Sequence, residues 1–378
     1  MIINEIIQKY QFTPSKNLIV CWFIAILITW ILAAVVDSFI PPARNADIYR
    51  SPTEVLSAWD GEHYTIIVSN GYSIEGAEIR HFAFFPLLPK VARLIGGTSY
   101  GPLAGILLGQ ICFLGCIILL NNLVLIDEKL PLRLQPGFWL LISPLSFFFL
   151  VFYTESIFLF LILLMITACR RERFIAAIVF GVLAGLTRPV AILLPVIFIC
   201  WAIQSFRQGK SYFALLICAA APLLGVGLYI GFVGYLVGEP FAYLQIQKQW
   251  WESQWAFAFI SLGEDLKGLL VGLVHGQIYP VDIIVRLLSS ISVLFIIVWG
   301  WRRCEPAFLV YLIASILFIH SQEPHRSTAR YELVLFPIYL LIPQVMIHHP
   351  KVTRIIIGIL VVTQALLFVR HISLKWVA

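Results

Sequence analysis

The sequence predicts an all-α protein that lies in a membrane, and three observations support this fold class. Hydrophobic residues make up 60% of the 378 residues and charged residues only 12%, whereas soluble proteins average about 25% charged residues. The mean hydropathy is +0.92. The apolar residues gather into about eleven stretches, and a helix that crosses a bilayer needs roughly 20 such residues. No water-soluble core could hide this much apolar surface, so we expect lipid to be the solvent.

We expect about 11 transmembrane helices, with a range of roughly 10 to 12. The predicted segments are 18–40, 102–126, 137–153, 155–169, 174–188, 190–206, 212–236, 281–300, 307–320, 333–348 and 354–370. The third and fourth segments are short and could form a tight re-entering pair. The remainder is too small for a separate soluble domain, so 1–378 is interpreted as one integral membrane domain with two long loops, 41–101 and 237–280.

The orientation follows from the short loops, because cytoplasmic connectors carry an excess of Lys and Arg. Five compact, basic connectors fall on one side of the predicted topology: 125–133, 169–174, 205–210, 301–305 and 348–354. The long loops and the shorter 321–332 then face the exterior. We therefore expect a multi-pass protein with an extracytoplasmic active face, in a prokaryotic plasma membrane or, in a eukaryote, on the lumenal side of the endoplasmic reticulum.

The first long loop contains the motif WDGEHY at 59–64, in a stretch that is dense in charged residues. If 53–69 is helical, Asp60, His63 and Tyr64 fall at positions i, i+3 and i+4 on one helix face, with Trp59 beside them. A carboxylate that is held near a membrane, between imidazole and aromatic groups, suits a general base. The alternative is an Asp that caps a helix or is simply solvated.

The stretch HFAFFPLLPK at 81–90 is apolar but interrupted by proline. Pro86 and Pro89 prevent a regular spanning helix, and Arg80 and His81 precede them with polar groups. We expect this segment to lie on or dip into the membrane and to frame the entrance for a lipid-linked substrate. The alternative is a packing element at the membrane surface.

Arg188 stands alone between apolar residues, next to Pro189. Since an Arg at a bilayer centre costs at least about 2.5–3.5 kcal/mol on insertion scales, it needs a partner. One interpretation is a phosphate clamp, because guanidinium binds phosphate oxygens in a bidentate manner. The other is a salt bridge to Glu155, which itself could instead orient a sugar hydroxyl or mark a turn.

A second dense polar cluster occupies 320–337. Arg326 and Arg330 are four residues apart, so a helix would place both guanidinium groups on one side, where they could hold a phosphate leaving group. His325 and Tyr331 add donors. A solvated loop, with its arginines neutralised by nearby glutamates, is the alternative.

The second long loop is rich in tryptophan, with Trp250, Trp251 and Trp255 among polar residues. Aromatic rings prefer the headgroup zone of a bilayer, so this stretch is interpreted as an interfacial element. It either anchors the protein or forms a wall of the lipid or sugar site.

The sequence lacks the motifs that mark several other classes of function. The chain has no GxGxxG, P-loop or HExxH motif, and its seven cysteines show no zinc or disulfide spacing. The formal net charge of +6 is best explained by membrane orientation, so no nucleic-acid partner is expected. Chemistry outside the cytoplasm, where nucleotides are scarce, favours a lipid-carried activated donor.

Taken together, these motifs resemble those of the PIG-V-like mannosyltransferases. The matching residues, in order, are Trp59, Asp60, His63, Tyr64, Gly71, Tyr72, Ala83, Phe84, Phe85, Pro86, Pro89, Tyr153, Thr154, Glu155, Ser156, Thr187, Arg188, Arg330, Tyr331 and Pro337. The WD motif followed by AFFP, together with YTES, is the more specific part of this pattern, and the resemblance covers most of the chain.

This resemblance implies a GT-C-type fold and a glycosyltransferase that moves a hexose, with mannose as the expected sugar, from a polyprenyl-phosphate-sugar donor. It implies that Asp60 is the catalytic base of an inverting transfer to a membrane-associated glycolipid, polymer or protein acceptor. We expect no cofactor and no metal, although Asp60 and Glu62 could coordinate a divalent ion. The expected substrate-binding residues are Trp59, Glu62, His63, Tyr64, Arg80, His81, Glu155, Arg188, His325, Arg326, Arg330 and Tyr331.

Two other classes of function remain open from the sequence. A transporter or lipid flippase would place ionisable residues near the midplane in broken helices, whereas here most of them gather on one predicted face. A membrane acyltransferase would need a deep intramembrane His with an Asn or Asp partner, and His320 at the end of a span is the nearest candidate.

Overall fold

The structure is a computed structural model that describes residues 15–39, 50–124, 131–275, 280–323 and 327–377. It is built almost entirely from helices. The described α-helices, numbered in chain order, are α1 Lys16–Phe39, α2 Pro52–Leu56, α3 Asp60–Asn70, α4 Leu87–Gly96, α5 Gly101–Leu123, α6 Pro136–Leu141, α7 Glu155–Arg170, α8 Phe174–Gly185, α9 Pro195–Arg207, α10 Phe213–Val237, α11 Ala242–Trp251, α12 Ile260–Val274, α13 Val281–Gly300, α14 Pro306–Ile319, α15 Thr328–Leu333, α16 Pro337–Met346 and α17 Pro350–Ile372.

The remaining regular elements are short. Four 3-10 helices are described, at Gly76–Ala83, Leu132–Leu134, Ser146–Phe149 and Pro189–Leu193. Strands β1 Gln254–Trp255 and β2 Gln322–Glu323 pair antiparallel, with Gln254 opposite Glu323 and Trp255 opposite Gln322. This pairing joins the second long loop to the segment that leads into α15.

Six described helices are long and apolar enough to cross a membrane: Lys16–Val36, Gly101–Leu123, Pro189–Arg207, Phe213–Val237, Val281–Gly300 and Pro350–Ile372. Many of their large apolar side chains are exposed, such as Phe295 at 60% and Leu366 at 67%, as expected for surfaces that contact lipid. The prediction of an all-helical integral membrane fold is confirmed, while the count of about eleven transmembrane helices stays a prediction.

The segment predicted to span at 137–153 is not one helix. Its α-helix, α6, covers six residues, and a 3-10 helix follows at Ser146–Phe149. Pro144 lies between them and cannot continue an α-helix. The aromatic side chains of this 3-10 helix are at most 1% exposed, so they pack inside the protein instead of facing lipid.

Other predicted helices are interrupted at positions that matter for the site. The helix expected over 53–69 is divided into α2 and α3, with Trp59 between them at φ 63°. Helix α8 ends at Gly185, so Arg188 lies in extended backbone before Pro189. At the start of the segment predicted at 333–348, α15 ends at Leu333, and α16 begins only at Pro337. These interruptions bring polar residues to helix ends, where their side chains can converge.

Close helix packing relies on glycine, as is common in membrane proteins. A Cβ atom added at Gly225 of α10 would lie 2.1 Å from the carbonyl oxygen of Val182 in α8. One added at Gly185 would lie 2.3 Å from the carbonyl oxygen of Pro222. Because a real Cβ atom cannot approach backbone oxygen so closely, α8 and α10 can pack at this distance only without side chains there.

Candidate active site

A cavity of about 880 Å³ lies where the first long loop, the interrupted helices and the second long loop meet. Its volume is within the range of roughly 300–1,000 Å³ that small-molecule sites occupy. The lining residues are Trp59, Asp60, Glu62, His63, Tyr64, Ile66, Arg80, Ala83, Phe84, Phe85, Tyr153, Thr154, Glu155, Thr187, Arg188, Pro189, Tyr243, Gln247, Trp251, Ser253, Asp282, Arg286, Gln322, Glu323, Ser327, Arg330, Tyr331 and Trp376.

Four charged side chains form a connected network in this cavity. Arg330 Nη2 lies 2.6 Å from Asp60 Oδ2, and Arg330 Nε lies 3.0 Å from Glu155 Oε1. Arg188 Nη1 lies 2.5 Å from the same Glu155 oxygen. The network, here called the Asp60–Arg330–Glu155–Arg188 quartet, contains two carboxylates and two guanidinium groups, so its formal charges cancel.

The two carboxylates of the quartet are placed by helix starts. Asp60 is the first residue of α3 and Glu155 the first residue of α7. The unpaired amide groups at a helix N-terminus favour nearby negative charge. The backbone N–H of Asp60 also donates to the Tyr153 hydroxyl at 3.2 Å, so the start of α3 is tied to the turn before α7.

The two carboxylates differ in access. The side chain of Glu155 is 1% exposed, whereas that of Asp60 is 18% exposed. Arg330 contacts Oδ2 of Asp60, and no described residue forms a hydrogen bond with Oδ1. Asp60 is therefore the carboxylate of the quartet that a molecule in the cavity can reach.

Arg330 is held by aromatic rings as well as by charge. Its guanidinium carbon lies 5.1 Å from the centre of the Tyr153 ring and 5.6 Å from that of Phe148. Burial alone would lower the pKa of Arg330, but Asp60 and Glu155 together raise that pKa well above its usual value. Arg330 is therefore a permanent cation in the cavity.

A buried polar cluster behind the cavity holds helix α15 in position. Glu332 accepts hydrogen bonds from Ser289 and, at 2.7 Å, from Ser290, and its Oε1 lies 3.1 Å from His320 Nε2. These contacts fix α15, which carries Arg330, against α13 and the end of α14. His320 does not line the cavity, and the partner of its Nε2 is Glu332 instead of the Asn or Asp that the acyltransferase interpretation requires.

His63 is packed among aromatic groups on the wall next to Asp60. Its ring stacks on Phe84 with 4.4 Å between centroids and lies 5.3 Å from the Trp251 ring. Its Nδ1 lies 3.0 Å from His81 Nδ1. Burial lowers the pKa of His63 to about 4, and the positive charge of Arg80 adds to the shift while Asp60 opposes it. His63 is therefore neutral at neutral pH.

Most of the predicted site residues share this cavity. Ten of them line it: Trp59, Asp60, Glu62, His63, Tyr64, Arg80, Glu155, Arg188, Arg330 and Tyr331. His81 lies behind His63 and is 1% exposed. His325 and Arg326 fall outside the described residues. The cavity brings these residues together, but their roles in binding and catalysis stay predictions.

The surroundings of Arg188 bear on both of its interpretations, the phosphate clamp and the salt bridge to Glu155. The salt bridge to Glu155 is present, and the Arg188 guanidinium carbon also lies 4.9 Å from the centre of the Tyr331 ring. Both side chains of this ion pair are almost fully buried. A phosphate clamp at Arg188 would therefore compete with Glu155 for the guanidinium group.

The sequence reasoning missed a second ionic cluster at the rim of the cavity. Arg286 of α13 makes paired contacts with Asp265 of α12, from Nε at 3.1 Å and from Nη2 at 3.0 Å to the same oxygen, Oδ2. Its Nη1 donates to Asp282 at 3.2 Å. Asp282 and Arg286 are an i, i+4 pair inside an apolar run, and that spacing could have revealed them.

The sequence analysis also did not single out the α11 residues that line the cavity. Tyr243 and Gln247 line the cavity, and the Gln247 amide donates to the Tyr243 hydroxyl at 3.0 Å. Trp251 lines it as well, whereas Trp255 is 68% exposed. The tryptophan-rich loop therefore contributes one ring to the cavity wall and exposes another.

The residues around Asp60 do not form an evident metal site. Within the described ranges, no group of three or more His, Cys, Asp or Glu side chains is arranged to hold a metal ion. One oxygen of Asp60 is engaged by Arg330, a cation that would repel a metal ion. The expectation that the protein needs no metal stays a prediction.

Fold and cavity together define a helical integral membrane protein with a charged site where its helices break. No family model matches the chain. GPI alpha-1,6-mannosyltransferase 2 of Mus musculus is 32% identical over 143 residues, covering 33% of this chain and 28% of the mouse protein. The proteins of that name from Rattus norvegicus and Cricetulus griseus are 26% identical over 176 and 180 residues, covering 39% and 40% of this chain and 35% of each relative.

The chain thus matches about a third of the length of these curated relatives. Among solved structures, one match is an oligosaccharyltransferase of Archaeoglobus fulgidus in complex with Zn and sulfate. The alignment covers 94% of this chain and 53% of the oligosaccharyltransferase chain. That alignment has 13% identity and a TM-score of 0.44, too low to support a conclusion about this chain. The predicted resemblance to PIG-V-like mannosyltransferases is confirmed by the three mammalian relatives over the part that they cover.

Proposed function

We propose that this protein is a membrane glycosyltransferase that moves a hexose, with mannose as the expected sugar, from a polyprenyl-phosphate donor to a membrane-associated acceptor. The observation that carries the proposal is the position of Asp60. Its carboxylate is partly exposed in a cavity beside two buried arginines, and it belongs to the motif that resembles the mannosyltransferases. The similarity to relatives named as mannosyltransferases supports the same class of reaction.

In the proposed reaction, an acceptor hydroxyl oxygen attacks the anomeric carbon of the donor. Asp60 takes the hydroxyl proton, the new glycosidic C–O bond forms, and the bond from the anomeric carbon to the phosphate oxygen breaks. The departing lipid phosphate keeps that electron pair. Attack from the face opposite the phosphate inverts the configuration. A positioned general base contributes roughly 10²–10⁴-fold to such a reaction.

Arg330 orients the proposed base. Because it contacts Oδ2 at 2.6 Å, it leaves Oδ1 for the acceptor hydroxyl. Arg330 is fixed in turn by Glu155, so the carboxylate is held before substrate arrives. Such preorganisation lowers the reorganisation that the transition state would otherwise require.

The proposed location of the reaction is the extracytoplasmic face. The five short basic connectors favour this orientation through the positive-inside rule, because the predicted topology puts them on the side opposite the long loops. A donor whose lipid stays in the bilayer would present its phosphate and sugar at that level. The acceptor is proposed as a glycolipid, polymer or protein that is also held at the membrane.

The experiment uses the purified protein in lipid vesicles with radiolabelled polyprenyl-phosphate-mannose and a membrane lipid extract. We expect label to move to an acceptor fraction with wild-type protein and transfer to fall at least about 100-fold with Asp60→Asn. Glu75→Gln is the matched control, because Glu75 is an exposed acid of the same loop that does not line the cavity.

Two results would overturn the proposal. One is movement of labelled donor between leaflets without any transfer of sugar, which would favour the flippase interpretation. The other is full transfer by Asp60→Asn, which would remove Asp60 from the role of base. Circular dichroism and gel filtration of both variants in detergent would show that the loss of transfer is not a loss of fold.

A further inference from the structure

We infer that Arg80 is the residue that binds the phosphate of the lipid-linked donor, in place of the arginines of the quartet. This inference rests on the proposed function and assigns its leaving-group subsite. It follows from a comparison of the four arginines that line the cavity among the residues that the structure describes, namely Arg80, Arg188, Arg286 and Arg330.

Three of these arginines are already neutralised by carboxylates. Arg188 pairs with Glu155, and Arg330 pairs with both Asp60 and Glu155. Arg286 pairs with two aspartates at the cavity rim. For any of the three to take a phosphate, a largely buried carboxylate would lose its cation, which is strongly unfavourable in a low-dielectric site.

Arg80 differs from the other three because it makes no ion pair with a described carboxylate. The nearest acid in its 3-10 helix, Glu78, has its Oε2 3.1 Å from His81 Nε2. The Nε atom of Arg80 is buried and has no hydrogen-bond partner among the residues that the structure describes. A buried donor without an acceptor is costly, and an anion bound in the cavity would supply that acceptor.

The surroundings of Arg80 leave it as the uncompensated positive charge on its wall. Burial lowers the pKa of His63 and of His81, and Arg80 lowers both pKa values further, so neither histidine adds charge at neutral pH. The apolar residues Ala83, Phe84 and Phe85, which follow Arg80 closely in the chain, also line the cavity. Apolar walls strengthen the attraction between a guanidinium group and a phosphate because they lower the local dielectric.

The position of Arg80 relative to Asp60 also suits the reaction. His63 lines the same cavity as Arg80 and Asp60, and its ring stacks on Phe84 with 4.4 Å between centroids. Base and cation thus share one cavity with this aromatic pair. A sugar that rests against His63 and Phe84 could direct its phosphate to Arg80 while its anomeric carbon faces the acceptor near Asp60.

The reaction increases the negative charge on the phosphate, and in this proposal Arg80 stabilises that increase. The donor is a phosphodiester with one negative charge, and bond cleavage produces a lipid phosphate monoester that gains a second. The quartet is neutral and has no spare positive charge for this change. Arg80 supplies one, and its planar guanidinium group can bind two phosphate oxygens at once.

The test measures binding of farnesyl phosphate, a lipid monophosphate without sugar, to the purified full-length chain in detergent. We expect Arg80→Gln to raise its Kd by about 10–100-fold, the loss typical of a charged hydrogen-bonded contact, and Arg80→Lys to raise it less. Arg93→Gln is the matched control, because Arg93 lies one helix further along and does not line the cavity. Farnesol, which lacks phosphate, should bind wild type and Arg80→Gln equally.

The outcomes separate this inference from the proposed function. If wild type transfers sugar but Arg80→Gln binds farnesyl phosphate as tightly as wild type, Arg80 is not the phosphate ligand and the glycosyltransferase proposal stands. If the quartet variant Arg188→Gln weakens farnesyl phosphate binding more than Arg80→Gln does, the phosphate lies at the quartet instead. If wild type neither binds the probe nor transfers sugar, both proposals fail. Thermal unfolding of each variant identifies any that has lost its fold.

Discussion

Arg330 bridges Asp60 and Glu155, with 2.6 Å from its Nη2 to the first carboxylate and 3.0 Å from its Nε to the second. The bridge joins the N-terminus of α3, in the first long loop, to the N-terminus of α7, which follows the break at Pro144. It requires a planar group with several donors at fixed angles, which lysine lacks. The bridge therefore predicts a specific requirement for arginine at this position.

We predict that Arg330→Lys lowers kcat for sugar transfer by about 10–100-fold, because an ammonium group cannot hold both carboxylates and Asp60 loses its fixed orientation. The measurement is kcat and KM with radiolabelled donor in vesicles. Arg302→Lys is the control, since Arg302 is exposed and does not line the cavity. Equal kcat for Arg330→Lys and wild type would show that the bridge does not orient Asp60.

The buried ion pair of Glu155 and Arg188 predicts non-additive stability. We expect Glu155→Gln to lower the free energy of unfolding by about 3–5 kcal/mol, because it leaves a buried guanidinium group without its main partner. The double variant Glu155→Gln/Arg188→Gln should lose less than the sum of the two single variants, since no unpaired charge remains. Denaturant unfolding in detergent measures all three.

Glu305→Gln is the matched control for this experiment. Its ion pair with Arg170 is about one-third exposed on both sides, so we expect a loss of about 1 kcal/mol or less. Additive losses in the Glu155 and Arg188 cycle would mean that the two side chains do not depend on each other in the folded protein.

The contact between α8 and α10 predicts a steric effect. Gly225→Ala places a Cβ atom 2.1 Å from a backbone oxygen of α8, so the helices must separate. We expect a loss of about 1–3 kcal/mol, the usual range for overpacking, seen as a lower unfolding temperature in detergent. Gly227→Ala, two residues along the same helix with no neighbour within 4 Å, should be tolerated. Equal unfolding temperatures for the two variants would argue against this packing.

The lowered pKa of His63 predicts acid sensitivity. The folded protein keeps His63 neutral down to a pKa of about 4, whereas the unfolded chain takes up a proton near the ordinary value of 6.5. The stability that comes from neutral His63 is therefore present above pH 6.5 and is lost as the pH falls toward 4.

We expect the unfolding temperature of wild type to fall more between pH 7 and pH 4.5 than that of His63→Phe, which keeps an aromatic ring against Phe84 but cannot be protonated. His348→Phe, at an exposed site, is the control and should behave as wild type does. An identical pH dependence in wild type and His63→Phe would mean that another group, such as His81, causes the acid sensitivity.

Much of the architecture could be predicted from the sequence because lipid imposes a simple rule. Backbone polar groups in a bilayer must be satisfied within the segment, so long apolar runs become helices. The runs ending near Leu123, Val237, Gly300 and Ile372 follow this rule and match the structure within a few residues. The run at 137–153 violated it, because its apolar side chains pack against other helices instead of lipid and its backbone bends at proline.

The candidate site was predicted in part. The WDGEHY motif identified Asp60 and His63 because the charges there are concentrated in one short stretch. The pairing of Arg286 with Asp265 escaped notice because the two residues lie in different helices, and only the packing of α12 on α13 joins them. A single sequence holds no signal for a contact of that kind.

By itself, the sequence determined that the chain is a helical membrane protein and that an acidic motif in its first long loop is a candidate for chemistry, since composition and local spacing suffice for both. Only the tertiary structure decided which charges meet. Asp60 and Arg330 lie far apart in the chain, and their contact depends on helix breaks that bring both to one cavity. The pairing of the quartet and the unpaired state of Arg80 among the described residues follow from that convergence, because ion pairing depends on distances of a few ångströms that local sequence does not fix.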